Sequence, residues 1–529
     1  MGALTLKVFS NELREWELIE AEAIDPTNSF GVSLRLSLRE NQIYLAEPND
    51  PETPWITDKA RLFFDGMFID KSNNKDNTIL WESFFKNFCE QLYFIDYLNF
   101  KKKTVFSLVF IFENLSLEVL NILYLLKQNN SLIKVRQAEI YNVNNDLEIN
   151  YQLNDSLNSS CLTKSNLALL LNTNSRFEGY VLNLSLRQRI FRGDFKLLSI
   201  GSMLNLTFPI EDLGSNFNVI RSIAEGTHFT CQSFKTSNNP LLITNTEFFK
   251  RKDSKIFFNV LQKANIFKTN NNNLNILSHS LSFVGTNSLT KFLPLASEDL
   301  KNFFGFYFIN VSLKASSNVK HCIQLHLLKL LSQNNPTQNI QNFFVNQSSD
   351  FNNMDFLNKF RGKVYKNYYH LPSNLFLEDS ETFINTEGVI KRTTKLISYK
   401  KNAKSNWQII RKIYFKTKLA IFFNQKKDND IINFDSINIF NFKNYLMLHF
   451  YATQTFTNFS FYLTKQNLPY FKFKLKSDIK KTKTKIFFTK LKNWLDDFFT
   501  GNGKDFFSYN SSVLMNCSKI SRMSSTNFF

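Results

Sequence analysis

At 529 residues the chain exceeds what one ordinary core holds, so roughly two to four domains are expected. Hydrophobic residues make up 43% and charged residues 21%, which excludes a disordered chain, and no uncharged apolar run reaches the length of a membrane-spanning helix. A net charge of +19 raises nucleic acid or an anionic surface as partner, yet 58 Phe beside 14 Gly and 10 Pro point to AT-rich coding, as in an organelle genome, and lysine drift on solvated faces then explains much of the charge.

Residues 1–95 read as a small β-rich lobe: Ala23–Leu45 alternates with a period of two, and Asn49–Pro54 reads as a turn. Residues 96–311 alternate short apolar runs with amphipathic stretches. The strands expected there are Val105–Phe112, Leu167–Leu171, Phe195–Ile200, Leu241–Thr244 and Phe306–Val311; the helices are Leu115–Leu126, Tyr180–Phe191 and Lys255–Ala264. Strand–helix alternation at this spacing argues for a Rossmann-like, doubly wound parallel sheet. Residues 312–424 form a second α/β segment completing the fold. Its first part, to about 365, is Asn/Gln-rich and reads as loops and irregular helices; order returns at Val364–Ile413. Residues 425–529 form a divergent Phe/Lys-rich extension. Within it Lys472–Lys492 holds nine Lys against Asp478, a pattern open to three readings: a solvated face, a contact with an acidic subunit, or a contact with anionic lipid.

Five cysteines (Cys89, Cys161, Cys231, Cys322 and Cys517) are dispersed without a CxxC pair, so neither structural zinc nor an iron–sulphur cluster is expected on this chain. His321 and His326, five apart, do not share a helical face. Gly179 and Gly193 are too isolated for a phosphate loop, and Gly501-Asn502-Gly503-Lys504 lacks Walker spacing. Asp65, Glu178 and Glu387 are acid–base candidates whose bland reading, hydrogen-bonded turn carboxylates, is preferred. Glu387-Gly388 reads as a tight turn.

Gly2-Ala3-Leu4-Thr5 and Arg14-Glu15-Trp16-Glu17-Leu18 are followed by Ser33-Leu34-Arg35, Pro54-Trp55-Ile56-Thr57-Asp58-Lys59-Ala60-Arg61 and Phe64-Asp65-Gly66. Asn145-Asp146-Leu147, Asn150-Tyr151-Gln152-Leu153-Asn154, Leu170–Glu178, Ile200-Gly201, Asp212-Leu213-Gly214 and Ile223–His228 come next. Leu371-Pro372, Glu381–Gly388 and Asn406–Arg411 close the series. In this order the segments resemble the large iron–sulphur subunit of respiratory complex I over residues 1–415, in the part of that subunit that is similar to molybdopterin oxidoreductases. The ferredoxin-like domain that precedes this part in the family has no counterpart here. The resemblance implies either a separate companion polypeptide ending in the last cluster cysteine or a start upstream of Met1.

The resemblance therefore implies a structural, non-redox component of the peripheral arm, on the matrix side of the mitochondrial inner membrane and encoded in the organelle. It would support electron transfer from NADH to ubiquinone coupled to proton translocation. No catalytic, cofactor-binding or metal-ligating residue is expected. The partners expected are a Cys-rich iron–sulphur polypeptide and other peripheral-arm subunits, with neither nucleic acid nor a membrane span. Gly2, Ala3, Leu4, Thr5, Trp16, Trp55, Asp58 and Arg61 are the expected seam with the cluster-bearing chain. Two competing readings are a free-standing molybdopterin oxidoreductase, which bound molybdenum or tungsten would reveal, and a basic nucleic-acid-binding protein, which a steep salt dependence would reveal.

Overall fold

The computed structural model describes residues 9–10, 12–51, 54–67, 81–102, 106–138, 160–201, 204, 206–237, 240–249, 274–278, 280–290, 292–293, 295, 303–311, 343–348, 367–398, 403–425, 511–514 and 516–517. The helix expected over Lys255–Ala264, His321, His326 and the lysine-rich stretch lie outside these residues.

The first lobe is an antiparallel sheet of β1 (Ile19–Ile24), β2 (Ser33–Arg39) and β3 (Gln42–Pro48), in that order. Glu40 and Asn41 turn the β2–β3 hairpin with φ of +51° and +67°, the two-residue geometry whose twist matches that of its strands. Alternation puts Ala23, Leu34, Leu36, Ile43 and Ala46 on one face, where they pack against Phe63, Phe64 and Met67. Short helix α1 (Asp58–Arg61) precedes that aromatic pair, its first turn capped by Thr57, which accepts from the Ala60 N–H at 3.2 Å. Asp65 holds a distant part of the chain: its Oδ2 accepts from Ser511 Oγ (2.6 Å) and Val513 N–H (3.3 Å), and Leu514 is buried there.

Two parallel five-stranded sheets follow where one or more were expected. The chain lays down α2 (Trp81–Lys102), β4 (Ser107–Phe112), α3 (Leu117–Asn129) and β5 (Ile133–Gln137), then leaves. It next builds a complete second sheet: α4 (Ser160–Lys164), β6 (Leu167–Leu171), α5 (Ser175–Glu178), α6 (Tyr180–Phe191), β7 (Lys196–Ile200), β8 (Glu211–Asp212), α7 (Phe217–Glu225), α8 (Cys231–Thr236), β9 (Leu241–Asn245), α9 (Thr246–Phe249) and β10 (Leu274–Leu277). After α10 (Phe283–Thr290) it returns to the earlier sheet with β11 (Phe303–Ile309), β12 (Phe343–Ser348) and β13 (Asn367–Pro372). A hairpin of β14 (Thr382–Ile384) and β15 (Ile390–Arg392) and helix α11 (Asn406–Gln425) complete the described fold.

The sheet orders are β13-β12-β11-β4-β5 and β10-β9-β6-β7-β8, parallel throughout. Each starts inside the sheet, winds to one edge and then the other, the doubly wound plan expected from the sequence. We call them the aromatic sheet and the leucine sheet after their strands: Phe110 and Tyr307 stack at 4.5 Å in the first, while β6 reads Leu-Ala-Leu-Leu-Leu in the second.

The expected boundary at 311 runs between β11 and β12, which are neighbours in the aromatic sheet, and the boundary at 95 falls inside α2, whose Phe84 and Phe88 pack with Phe110 and Tyr307. The loops expected over 312–365 need correction, because β12 lies there as an interior strand. Its pattern misleads because Asn346 and Gln347 are buried polar residues. Gln347 satisfies its amide internally, accepting from Tyr307 Oη at 2.6 Å and donating to Asn406 Oδ1 at 2.8 Å.

Candidate functional site

In doubly wound sheets ligands enter where neighbouring strands diverge, beyond their C-terminal ends. In the leucine sheet that point lies between β6 and β9. Asn172, just past β6, adopts φ +54°, and Asn174 caps α5 by accepting from the Arg176 N–H. Asn245, at the end of β9, donates from Nδ2 to Asn172 O (3.0 Å) and to both Glu178 carboxylate oxygens (2.9 and 3.0 Å), while its Oδ1 accepts from the Phe248 N–H. The motif Leu170–Glu178 thus spends the Asn172 carbonyl, the Asn174 side chain and the Glu178 carboxylate on its own chain, while buried Asn172 Oδ1 keeps no hydrogen-bond partner among the described residues.

The corresponding point of the aromatic sheet lies between β4 and β11. The Glu113 N–H donates to Ile309 O, and Ser282 Oγ donates to Asn114 Oδ1. Glycines near these crevices serve packing. A Cβ on Gly179 would meet Phe30 at 3.0 Å and Leu277 at 3.1 Å, and one on Gly285 would meet Leu117 at 2.7 Å. A pterin needs an open cradle of backbone donors and a metal-ligating side chain. Cys89 lies on α2 and Cys231 on α8, and among the described residues no group of three or more His, Cys, Asp or Glu could hold a metal.

The segment Glu381–Gly388 instead joins the lobes. Asn385 donates from Nδ2 to Phe30 O at 3.1 Å, and the Thr386 N–H donates to Ser29 O at 2.9 Å, which fixes the first lobe. Thr386 Oγ1 donates to Ile276 O of β10 and accepts from the Ser278 N–H, which fixes the leucine sheet. Thr382 donates through both Oγ1 and its N–H to Glu118 on α3, and Ser116 Oγ donates to Glu381, which fixes the aromatic sheet. The turn itself closes as expected: Gly388 sits at φ +79°, its N–H donates to Asn385 O, and Asn385 Oδ1 accepts from the Glu387 and Val389 N–H groups.

Burial dominates the acids of this joint. The Glu381 carboxyl is pushed well above its ordinary range by burial first, then by Asp379 and Glu118, with the Ser116 hydrogen bond opposing. Burial likewise raises Asp379 to about 7, against a hydrogen bond from Asn374. Glu387 is raised by burial and held back by Asn385 and Lys391. Asp65, Glu178 and Glu387 all accept hydrogen bonds from their own chain, so each has a structural task.

Of the expected seam, Gly2, Ala3, Leu4 and Thr5 lie outside the described residues. Trp16 sits in a single 3-10 turn, Glu15–Glu17, and is 75% exposed, with the Arg14 guanidinium 4.9 Å from its ring centroid. Trp55 is 63% exposed and leads into α1, which carries exposed Asp58 and half-buried Arg61. Trp16 therefore enters β1 and Trp55 follows β3, beside opposite edges of one sheet. Sequence reasoning missed Asn245 and Glu118, since neither stands in a motif and both act across more than sixty residues.

A family model described as molybdopterin oxidoreductase matches residues 104–416. The NADH-ubiquinone oxidoreductase 75 kDa subunit of Reclinomonas americana is 28% identical over 445 residues, which covers 78% of this chain and 59% of that protein. The mitochondrial NADH-ubiquinone oxidoreductase 78 kDa subunit of Candida albicans is 24% identical, covering 79% and 56%. An NADH-quinone oxidoreductase subunit of Rickettsia prowazekii is 25% identical, covering 54% and 43%. The chain thus spans less than two thirds of the length of each of these relatives. The matched residues run from β4 into α11 and include every strand of both parallel sheets, so the chain belongs to the molybdopterin oxidoreductase family.

Proposed function

We propose that this chain is a non-redox, structural part of the peripheral arm of respiratory complex I, the assembly that carries electrons from NADH to ubiquinone coupled to proton translocation. The observation that carries the reading is the similarity to three complex I subunits, which for two of them extends over more than three quarters of the chain. The leucine-sheet crevice, crossed by hydrogen bonds among Asn172, Asn245 and Glu178, favours a support over an oxidoreductase with its own cofactor. The dispersed cysteines favour redox centres held elsewhere, on a separate Cys-rich iron–sulphur polypeptide. The assembly would face the mitochondrial matrix, with this chain encoded in the organelle.

In this reading the task is mechanical. Electron transfer depends on fixed spacing between centres, and the joint at Glu381–Gly388 makes three packed bodies one support. Native electrophoresis of inner membranes tests it: the chain is expected in a very large NADH-oxidising band, together with a smaller iron-containing polypeptide. Its absence from that band, or molybdenum or tungsten in the purified chain, would defeat the proposal.

A further inference from the structure

Among the described residues the strand β1 pairs with a strand on one side only, that of β2. In an antiparallel ladder, residues that bond the neighbour alternate with residues whose N–H and C=O point away. The Asp25 N–H donates to Val32 O at 2.9 Å, and the register pairs Ile19 with Leu38 and Ala23 with Leu34. Odd-numbered residues of β1 therefore bond β2, and Glu20 and Glu22 turn their backbone groups outward. Thr394 agrees with this parity, donating from Oγ1 to Glu22 O at 3.1 Å from the outer side, so the chain itself takes that acceptor and Glu20 is the outward-facing residue left for a partner. Among the described residues no strand pairs with that side.

The side chains along this edge have a consistent chemistry. Ile19 shares a face with Ala21 and Ala23, which pack into the lobe's core, yet Ile19 is 71% exposed. The core-facing side of β1 thus runs on past the core itself, towards exposed Trp16. The rim is acidic: residues 12–22 hold Glu12, Glu15, Glu17, Glu20 and Glu22 against Arg14, in a chain whose net charge is +19. Arg35 and Arg39 of β2 reach Glu20 and Glu17 at 3.5 and 3.3 Å but leave both carboxylates partly in solvent. Charge on an edge strand discourages indiscriminate pairing, and two copies of this edge would set Glu against Glu. A strand with Lys or Arg on one face and apolar residues on the other meets both the charge and the uncovered isoleucine.

We propose that the outer edge of β1 at Ile19–Ala21, between the Leu18 N–H that bonds Glu15 O and the Glu22 carbonyl that Thr394 takes, receives an extended segment of a separate polypeptide through the outward backbone groups of Glu20. Its basic side chains face Glu20 and Glu22, and its apolar side chains cover Ile19 beside Trp16. The inference deepens the scaffold reading and rests on it only for the assembly in which the partner is found.

The full chain can be titrated with a labelled synthetic peptide of alternating Lys and Ile, with a Glu–Ile peptide of equal length as control. Glu20→Pro is the discriminating variant: the Glu20 N–H is not used by β2, so proline removes an outward donor and leaves the β1–β2 ladder intact. Glu20→Lys reverses the charge without touching the backbone. The Lys–Ile peptide is expected to bind in a salt-sensitive manner and the Glu–Ile peptide not to bind. Each variant should weaken the Lys–Ile peptide by at least about tenfold, while hydrogen exchange at Ala21 and Ala23 stays as in the parent. In the purified NADH-oxidising assembly, the Glu20 amide should exchange more slowly than in the isolated chain.

Affinity indifferent to both variants overturns the proposal, as does equal protection in the isolated chain, which would mean that the chain covers its own edge. A concentration-dependent dimer abolished by Glu20→Pro overturns it in favour of a second copy. Failure to migrate with an NADH-oxidising assembly defeats the scaffold reading alone, since the peptide titration is read without that assembly.

Discussion

The leucine sheet and the aromatic sheet share a doubly wound, five-strand plan, yet the chain builds them differently. The leucine sheet comes from one continuous stretch, residues 167–277, and its interior is aliphatic, with Leu167, Leu169, Leu171, Leu198 and Leu242 in one cluster. The aromatic sheet is assembled from residues 107–137 and 303–372, with the whole leucine sheet inserted between its second and third strands. Its interior is filled by large flat rings: Phe88 stands edge-on to Phe110 and Tyr307, which stack at 4.5 Å with 9° between their planes. The difference teaches that a phenylalanine-rich interior packs where rings can tile, and that the discontinuous sheet depends more on the joint that closes it.

The comparison can be broken or sharpened by mutation. The largest effect is expected from Phe110→Ala, which empties part of the ring stack and should cost about 3–5 kcal/mol, against about 2–5 kcal/mol for Leu169→Ala in the leucine sheet. Urea unfolding followed by near-ultraviolet circular dichroism measures both, and a single shared transition is expected because the joint couples the sheets. Two separate transitions, each moved by only one of the variants, would show two independent bodies.

Asn385→Ala should come next, at about 2–3 kcal/mol, since it strips a donor from Phe30 O and an acceptor from two backbone N–H groups. Its signature is a loss of cooperativity between the sheets, read as faster hydrogen exchange at Ser29–Gly31 and Ile276–Ser278. Asn245→Ala should act within the leucine sheet alone, at about 1–3 kcal/mol, because it leaves the Glu178 carboxylate and Asn172 carbonyl without their shared donor. Exchange in the aromatic sheet should not change; if it does, the crevice and the joint are linked.

The last effect is read against pH. Asp379 titrates near 7 in the folded chain, above its ordinary 3.8, so the folded state binds the proton more tightly. The stabilisation linked to that proton is full below about pH 4 and lost as pH rises through about 7. Asp379→Asn removes the loss, so its stability relative to the parent should improve between about pH 4 and about pH 8 in parallel denaturation curves. A flat difference across that range would assign the burial of Asp379 no energetic consequence.

Much of this architecture was written locally. Val105–Phe112, Leu167–Leu171, Phe195–Ile200 and Leu241–Thr244 declared themselves as strands because buried parallel strands are continuous apolar runs, and each overlaps an observed strand. The turn at Glu387-Gly388 was legible because only certain residues adopt positive φ cheaply. Strand β12 was not legible, because Asn346 and Gln347 read as surface until Tyr307 and Asn406 are brought to Gln347. Exposed Trp16 and Trp55 could be named from the sequence, but their placement beside opposite edges of one sheet could not.

The sequence by itself determined the class of fold, the positions of five of the ten strands in the two parallel sheets and the spacing of the cysteines along the chain. It could do so because periodicity, turn chemistry and ligand spacing act over a few residues. The tertiary structure alone decided that the strands divide between two sheets, that Asn172, Asn245 and Glu178 tie off a crevice, and that residues 381–388 clamp three bodies together. These outcomes depend on hydrogen bonds and ring contacts between residues tens to hundreds of positions apart, whose pairing is set only when the chain packs.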